Sequence, residues 1–195
     1  MSIIAAVAHK RFSNLVGFDD APFPRSHRGP VKLIGAVFAD LRFDGVLMGE
    51  IEKDGADAAA TLIELIRGSR FREHLQLILL QGIAFGGFNV VDVNRLHEEL
   101  GLPVLVVSRR RPDFDAIRRA LLKRVPGGEQ KWALIEKLGP MQPAGGVHVQ
   151  PVGITLPQAK AVVERFAVHG RVPEPLRAAH LIAGAVATGE SRGRA

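Results

Sequence analysis

The stretch LQLILLQGIAFGGFNVVD, Leu75 to Asp92, decides the fold. Gln76 to Leu80 is an almost continuous apolar run, which predicts a strand buried on both faces. Strands of that kind belong to parallel sheets, where helices cover both sides. The run meets a polar residue, Gln81, and then a glycine-rich turn containing Gly82, Gly86 and Gly87. Asp92 caps a helix that carries Val93, Leu96 and Leu100 on one side, and Gly101 stops it. LPVLVVS follows as a second short, β-branched strand. Residues 75–108 therefore have the β-α-β pattern that joins parallel strands. Ligands of open α/β sheets sit beyond the carboxyl ends of such strands, and Gln81 stands at one of them.

On the N-terminal side, Leu15 to Phe18 reads as a strand ending in GFDDAPF, where Pro22 and Pro24 prevent further regular structure. VKLIGAVFAD and DGVLMGEIEKDG follow as extended runs, the second alternating at Val46, Met48, Glu50 and Glu52. ADAAATLIELIRGS reads as a helix with Asp57 as N-cap and Leu62, Leu65 and Ile66 on one face. On the C-terminal side, Asp113 caps a helix with Phe114, Ile117 and Leu121 inward and Arg118, Arg119, Lys123 and Arg124 outward. VPGGEQ reads as a loop before a helix around Lys131 to Leu138, and GGVHVQPVGI as an edge strand. Thr155 and Gln158 form a capping-box pattern for a helix burying Ala159, Val162, Val163 and Phe166. RVPEPLRAAHLIAGAVATG closes the chain as an apolar helix ahead of a basic tail over about residues 190–195. This order predicts an α/β fold with a mixed sheet, three antiparallel strands followed by parallel strands, and helices on both faces. A length of 195 residues suits a single domain spanning 1–195.

Composition narrows the function. With 47% apolar and 24% charged residues the chain is globular, and no run is long enough for a membrane span. MSIIAAVAHKRF lacks the basic start and cleavage pattern of a secretory signal, so a cytoplasmic location is expected. The absence of cysteine excludes disulfides, thiolate metal sites and thiol nucleophiles. A net charge of +6 favours polyanionic partners only weakly. The basic residues are densest from Ser108 to Arg124, and Arg109, Arg110, Arg111 and Arg118 are either a solvated face or a phosphate-binding track. The glycine turn fits neither G-x-G-x-x-G nor a P-loop, so a nucleotide cofactor is not expected.

Asp19 and Asp20 end the first strand, where neighbouring side chains point to opposite faces, so one of them, with Asp19 preferred, can join a common site. Glu50, Glu52, Asp54 and Asp57 crowd the third strand and its turn, where some must be solvated or capping. Metal-assisted phosphodiester cleavage needs carboxylates converging from different segments, and Asp19 with Asp54 would begin such a site. His180 falls on the apolar face of the last helix, four residues after Leu176, where a satisfied core histidine is the ordinary reading.

GFDDAPF, KDGADA, LLQGIAFGGFNVVD, GLPVLVVSRRRPDF and RVPEPLRAAHLIA, in this order, resemble the endonuclease dU family, a relative of endonuclease V in the RNase H-like superfamily. The resemblance runs from about Asn14 to Ala195. It implies an RNase H-like fold and a nuclease dependent on Mg²⁺ or Mn²⁺ that acts on deaminated, uracil- or inosine-containing nucleic acid. DNA is the preferred partner over RNA. It further implies Asp19, Asp54 and Asp20 as metal ligands, Asp57 being the alternative to Asp54, and makes His180 a site residue as much as a core histidine. The family pattern ends the central strand LLDGI or similar, with an aspartate where this chain has Gln81. Glutamine keeps a carbonyl oxygen but loses the charge, which weakens a Mg²⁺ site. Gln81 is therefore a weak ligand of an attenuated enzyme, the sign of a one-metal member or of a silent nucleic-acid-binding member of the same fold, or a nucleic-acid contact; a pocket for a small phosphorylated ligand is a separate reading with least support.

Overall fold

The computed structural model describes residues 11–191. The first ten residues of the N-terminal segment read for a secretory signal and most of the basic tail lie outside them. Seven strands form one sheet: β1 (Asn14–Asp20), β2 (Pro30–Ala39), β3 (Arg42–Glu52), β4 (Leu77–Gln81), β7 (Val104–Ser108), β8 (Gln142–Ala144) and β9 (Val147–Val152). Their order is β3-β2-β1-β4-β7-β9-β8, with β5 (Ala84–Phe85) and β6 (Asn89–Val90) making a separate small hairpin inside the glycine-rich turn. β1, β2 and β3 pair antiparallel, while β4 runs parallel to β1 and β7 parallel to β4. The expected mixed sheet is thus present.

Strand alternation divides the core into two layers. Val16, Phe18, Ile78, Leu80, Val104 and Val106 face α1 (Ala58–Arg67) and α2 (Val93–Leu100), which bury Leu62, Ile66, Val93 and Leu96 against them. Leu15, Leu77, Leu79, Leu105 and Val107 point the other way, toward α5 (Leu156–Phe166) and Leu176 of α6 (Glu174–Thr188). Both faces of β4 and β7 are therefore apolar, and this is why their sequences are runs rather than alternations. The last face of β2, with Ile34, Ala36 and Phe38, is closed by Ala179 and Ala183 of α6. The long helices α3 (Phe114–Arg124) and α4 (Gly128–Leu138) close the end of the structure beside the small hairpin, where Leu121 and Ile135 pack with Val90.

Three local readings change. β9 is not an edge strand, because it pairs with β7 on one side and with β8 on the other. Gly145 and Gly146, both at positive φ, make the two-residue turn of the β8–β9 hairpin. The helix expected from Lys131 begins at Gly128, inside the segment read as a loop. Asp57 holds the N-cap position of α1 without capping it. Its carboxylate accepts from the Glu52 amide at 3.2 Å and from Asn89 Nδ2 at 2.5 Å, closing the turn after β3. Asn89, fully buried, supplies the cap instead, its Oδ1 accepting from the Ala58 amide at 3.0 Å.

Candidate active site

The site is built where β1, β4 and β7 end. Gly17 allows α6 to lie on the β1 backbone: a Cβ there would sit 2.5 Å from the Pro175 carbonyl carbon and 2.7 Å from the Leu176 nitrogen. From that contact His180, one turn past Leu176, reaches the end of β1. Its Nδ1 lies 2.8 Å from Asp19 Oδ2. Asp19 shares the face of Leu15 and Gly17, is only 6% exposed, and also accepts its neighbour Asp20's amide on Oδ1 at 3.0 Å. Burial pushes the Asp19 carboxyl above its usual range, with the His180 hydrogen bond and charge opposing. That same hydrogen bond raises His180, against burial, and Arg109's positive charge acts in the lowering direction. Arg109, just past β7, is therefore within electrostatic reach of the pair.

Gln81 is next to Asp19 in the parallel register, which pairs Phe18 with Leu80. Alternation along β4 turns its side chain to the face of Leu77 and Leu79, the face Asp19 occupies. Its Oε1 is buried and has no hydrogen-bond partner among the described residues. A buried acceptor left in that state costs about 1–3 kcal/mol, so it points to an occupant from outside the chain.

The other carboxylates read from the sequence are placed elsewhere. Asp20 faces the opposite side of β1, where its Oδ2 accepts the Gly86 amide at 2.9 Å. Burial, with Asp19's charge adding and the Gly86 bond opposing, pushes it up to about 6. Asp54 is engaged at the same turn. It sits at positive φ, donates its amide to Gly86 O at 2.8 Å and accepts the Phe88 amide on Oδ1 at 2.8 Å. Asp20 and Asp54 thus hold the Gly86–Phe88 turn between them. Lys131, buried although charged, donates to Asp54 O at 2.5 Å and completes that clamp. Glu50 is exposed and paired with Lys32, and Asp92 caps α2. Nothing in the sequence marked Lys131 or Asn89, since each acts across a long chain separation with no local pattern.

Arg109, Arg110 and Arg111 are exposed on the segment leaving β7, at the same end of the sheet as Asp19 and Gln81. Arg118 is exposed on α3, its guanidinium 5.7 Å from the centre of the Trp132 ring. The basic run therefore flanks the site.

Among the described residues no three His, Asp or Glu side chains converge as metal ligands. Asp19 and Gln81 nevertheless fit a hard divalent cation: one buried carboxylate and one buried amide oxygen lacking a donor, on adjacent strands about 5 Å apart. Mg²⁺ is commonly held by one or two carboxylates and keeps several waters, so a small protein ligand set suffices.

Known proteins are similar to this chain to different degrees. The chain is 52% identical over 187 residues to a UPF0215 protein of Deinococcus radiodurans, covering 96% of this chain and 95% of that one. A crystal structure of an Archaeoglobus fulgidus protein superposes with a TM-score of 0.84 at 34% identity, over 91% of this chain and 99% of that one. Ciona intestinalis endonuclease V, solved with DNA containing an inosine, superposes with a TM-score of 0.55 at 14% identity, over 87% of this chain and 83% of that one. At that identity the likeness concerns the fold, which is endonuclease V-like. The endonuclease dU family model matches residues 11–187, and the chain belongs to that family.

Proposed function

We propose that the protein is a divalent-metal-dependent endonuclease that cuts DNA at deaminated bases, with uracil as the first candidate. The observation that carries this reading is the buried Asp19, bonded to His180, beside the unpartnered Gln81 Oε1 at the carboxyl ends of adjacent parallel strands. Family membership and the endonuclease V-like fold support it, as does a DNA-bound endonuclease V among the structural neighbours.

In this reading Asp19 and Gln81 hold the cation. A bound Mg²⁺ or Mn²⁺ supplies Lewis-acid chemistry, activating water and neutralising charge on the phosphate and leaving oxygens. His180 orients the Asp19 carboxylate through Nδ1. Arg109 and the following arginines hold phosphates, and this makes binding salt-dependent. Asp20 and Asp54 act at one remove, by fixing the turn that follows Gln81.

The neutral Gln81 favours a second reading, a nucleic-acid-binding member that does not cut. Nicking of end-labelled uracil and inosine oligonucleotides with Mn²⁺ or Mg²⁺ separates the two. Cleavage by the native protein, abolished by chelator, is the expected result; binding without cleavage selects the second reading. Gln81→Asp adds the missing charge to the ligand set and is expected to lower the Mg²⁺ concentration for half-maximal cleavage by about tenfold. An unchanged or higher requirement would show that Gln81 does not face the cation.

A further inference from the structure

A cavity of about 220 Å³ opens at Gly82, one residue past Gln81, between the small hairpin and α3. Its walls are largely apolar, with Ile83, Phe88, Phe114 and Met141 among them. Two polar side chains line it, Ser108 and Gln150. The Ser108 hydroxyl donates to Arg110 O at 2.7 Å, so its proton is committed. Gln150, on β9, is 1% exposed, and its Nε2 donates to Gly139 O at 2.6 Å. That bond fixes which way round the amide lies. Gln150 Oε1 is left buried and without a donor among the described residues.

A cavity with apolar and aromatic walls and one unpaired acceptor suits a flat, apolar ring that carries an N–H on its edge. Enzymes acting on bases in DNA extrude the target nucleotide into such pockets, where they stack it and read its Watson–Crick edge. Deamination changes that edge in one consistent way. Cytosine N3 and adenine N1 are lone-pair acceptors; in uracil and hypoxanthine the same ring positions carry a hydrogen and become donors. An acceptor with no donor of its own pairs with the deaminated base and sets lone pair against lone pair with the parent.

We propose that Gln150 is a specificity-determining residue whose Oε1 accepts the ring N–H that a base gains on deamination, the base lying in the cavity bounded by Gly82, Phe88 and Phe114. This rests on the nuclease reading of the Asp19 site, which shares the same end of the sheet. The Asp20 and Asp54 contacts to the Gly86–Phe88 turn then acquire a purpose, since that turn forms one wall.

Binding of single-stranded oligonucleotides that differ at one position tests the proposal, measured by fluorescence anisotropy with Ca²⁺ in place of Mg²⁺ or Mn²⁺ so that the strand stays intact. The native protein is expected to bind uracil about ten- to a hundredfold more tightly than cytosine or N3-methyluracil, which lacks the N–H. Gln150→Leu should bind all three alike, near the weaker affinity, with the salt dependence of the native protein retained. The N3-methyl substrate probes the same contact in the unaltered protein, so a folding defect in the variant does not remove the test. A uracil preference that survives Gln150→Leu, or native binding of N3-methyluracil equal to uracil, overturns the role of Gln150 alone. Failure of the native protein to bind any of the strands with salt dependence overturns this proposal and the nuclease reading together.

Discussion

Asp19→Asn is expected to reduce metal-dependent nicking by a factor on the order of 10³ while leaving the protein at least as stable as the native form. The two halves have the same cause. Burial raises the Asp19 carboxyl above its ordinary value of 3.8, so the native state binds that proton more tightly than the unfolded chain does. Stability from this group is therefore present at low pH and is lost as pH rises from 3.8 upward; at neutral pH the charge works against the fold. Asparagine keeps the shape and an acceptor for His180 but carries no charge to desolvate. A site that costs stability and supplies function is what a cation-binding carboxylate requires. Thermal melting with the nicking assay checks both halves. A variant that loses activity only because it unfolds would assign Asp19 to structure.

Gly17→Ala should have the opposite profile, losing stability and activity together. One methyl group at Gly17 would fall 2.5 Å from backbone of Pro175, where no side chain can rotate away. α6 must therefore move off β1, and overpacking of this kind costs about 1–3 kcal/mol, occasionally more. The same movement carries His180 away from Asp19. Urea denaturation should show a lower midpoint, and the His180 ring, followed by NMR, should titrate closer to an unperturbed histidine. A stability loss with His180 still held by Asp19 would mean that the helix tilts without disturbing its later turns.

The parts of this structure that were legible in the sequence are those whose physics is local. Thr155 and Gln158 form a capping box within one helical turn, and Asp92 and Asp113 cap their helices directly. β4 and β7 announced themselves because a strand covered on both faces has no polar alternation to lose. What could not be read is what the fold assembles from distant segments. Asp57 looks like a cap, yet Asn89, 31 residues beyond Ala58, does the capping. β9 looked like an edge because its outer partner, the three-residue QPA of β8, carries a proline and no pattern. Asp19 and His180 stand 161 positions apart, and only the family resemblance joined them before the structure did. Asp54 was preferred to Asp57 because Asp57 looked like the helix cap, and the sequence did not show that Asp54 sits at positive φ and accepts the Phe88 amide across 34 residues. Gln150 gave no signal at all: in GGVHVQPVGI it is one polar residue in a strand, and only its missing donor marks it.

The central claim is that Asp19 and Gln81 together hold a divalent cation, and titration of the native protein with Mn²⁺, followed by electron paramagnetic resonance, tests it most directly without relying on any substrate. Saturable binding that is lost in Asp19→Asn, weakened in Gln81→Leu and undisturbed in Asp54→Asn is the result this account predicts. Binding that survives Asp19→Asn, or that disappears with Asp54→Asn in a folded protein, would contradict it and move the metal to the other side of β1.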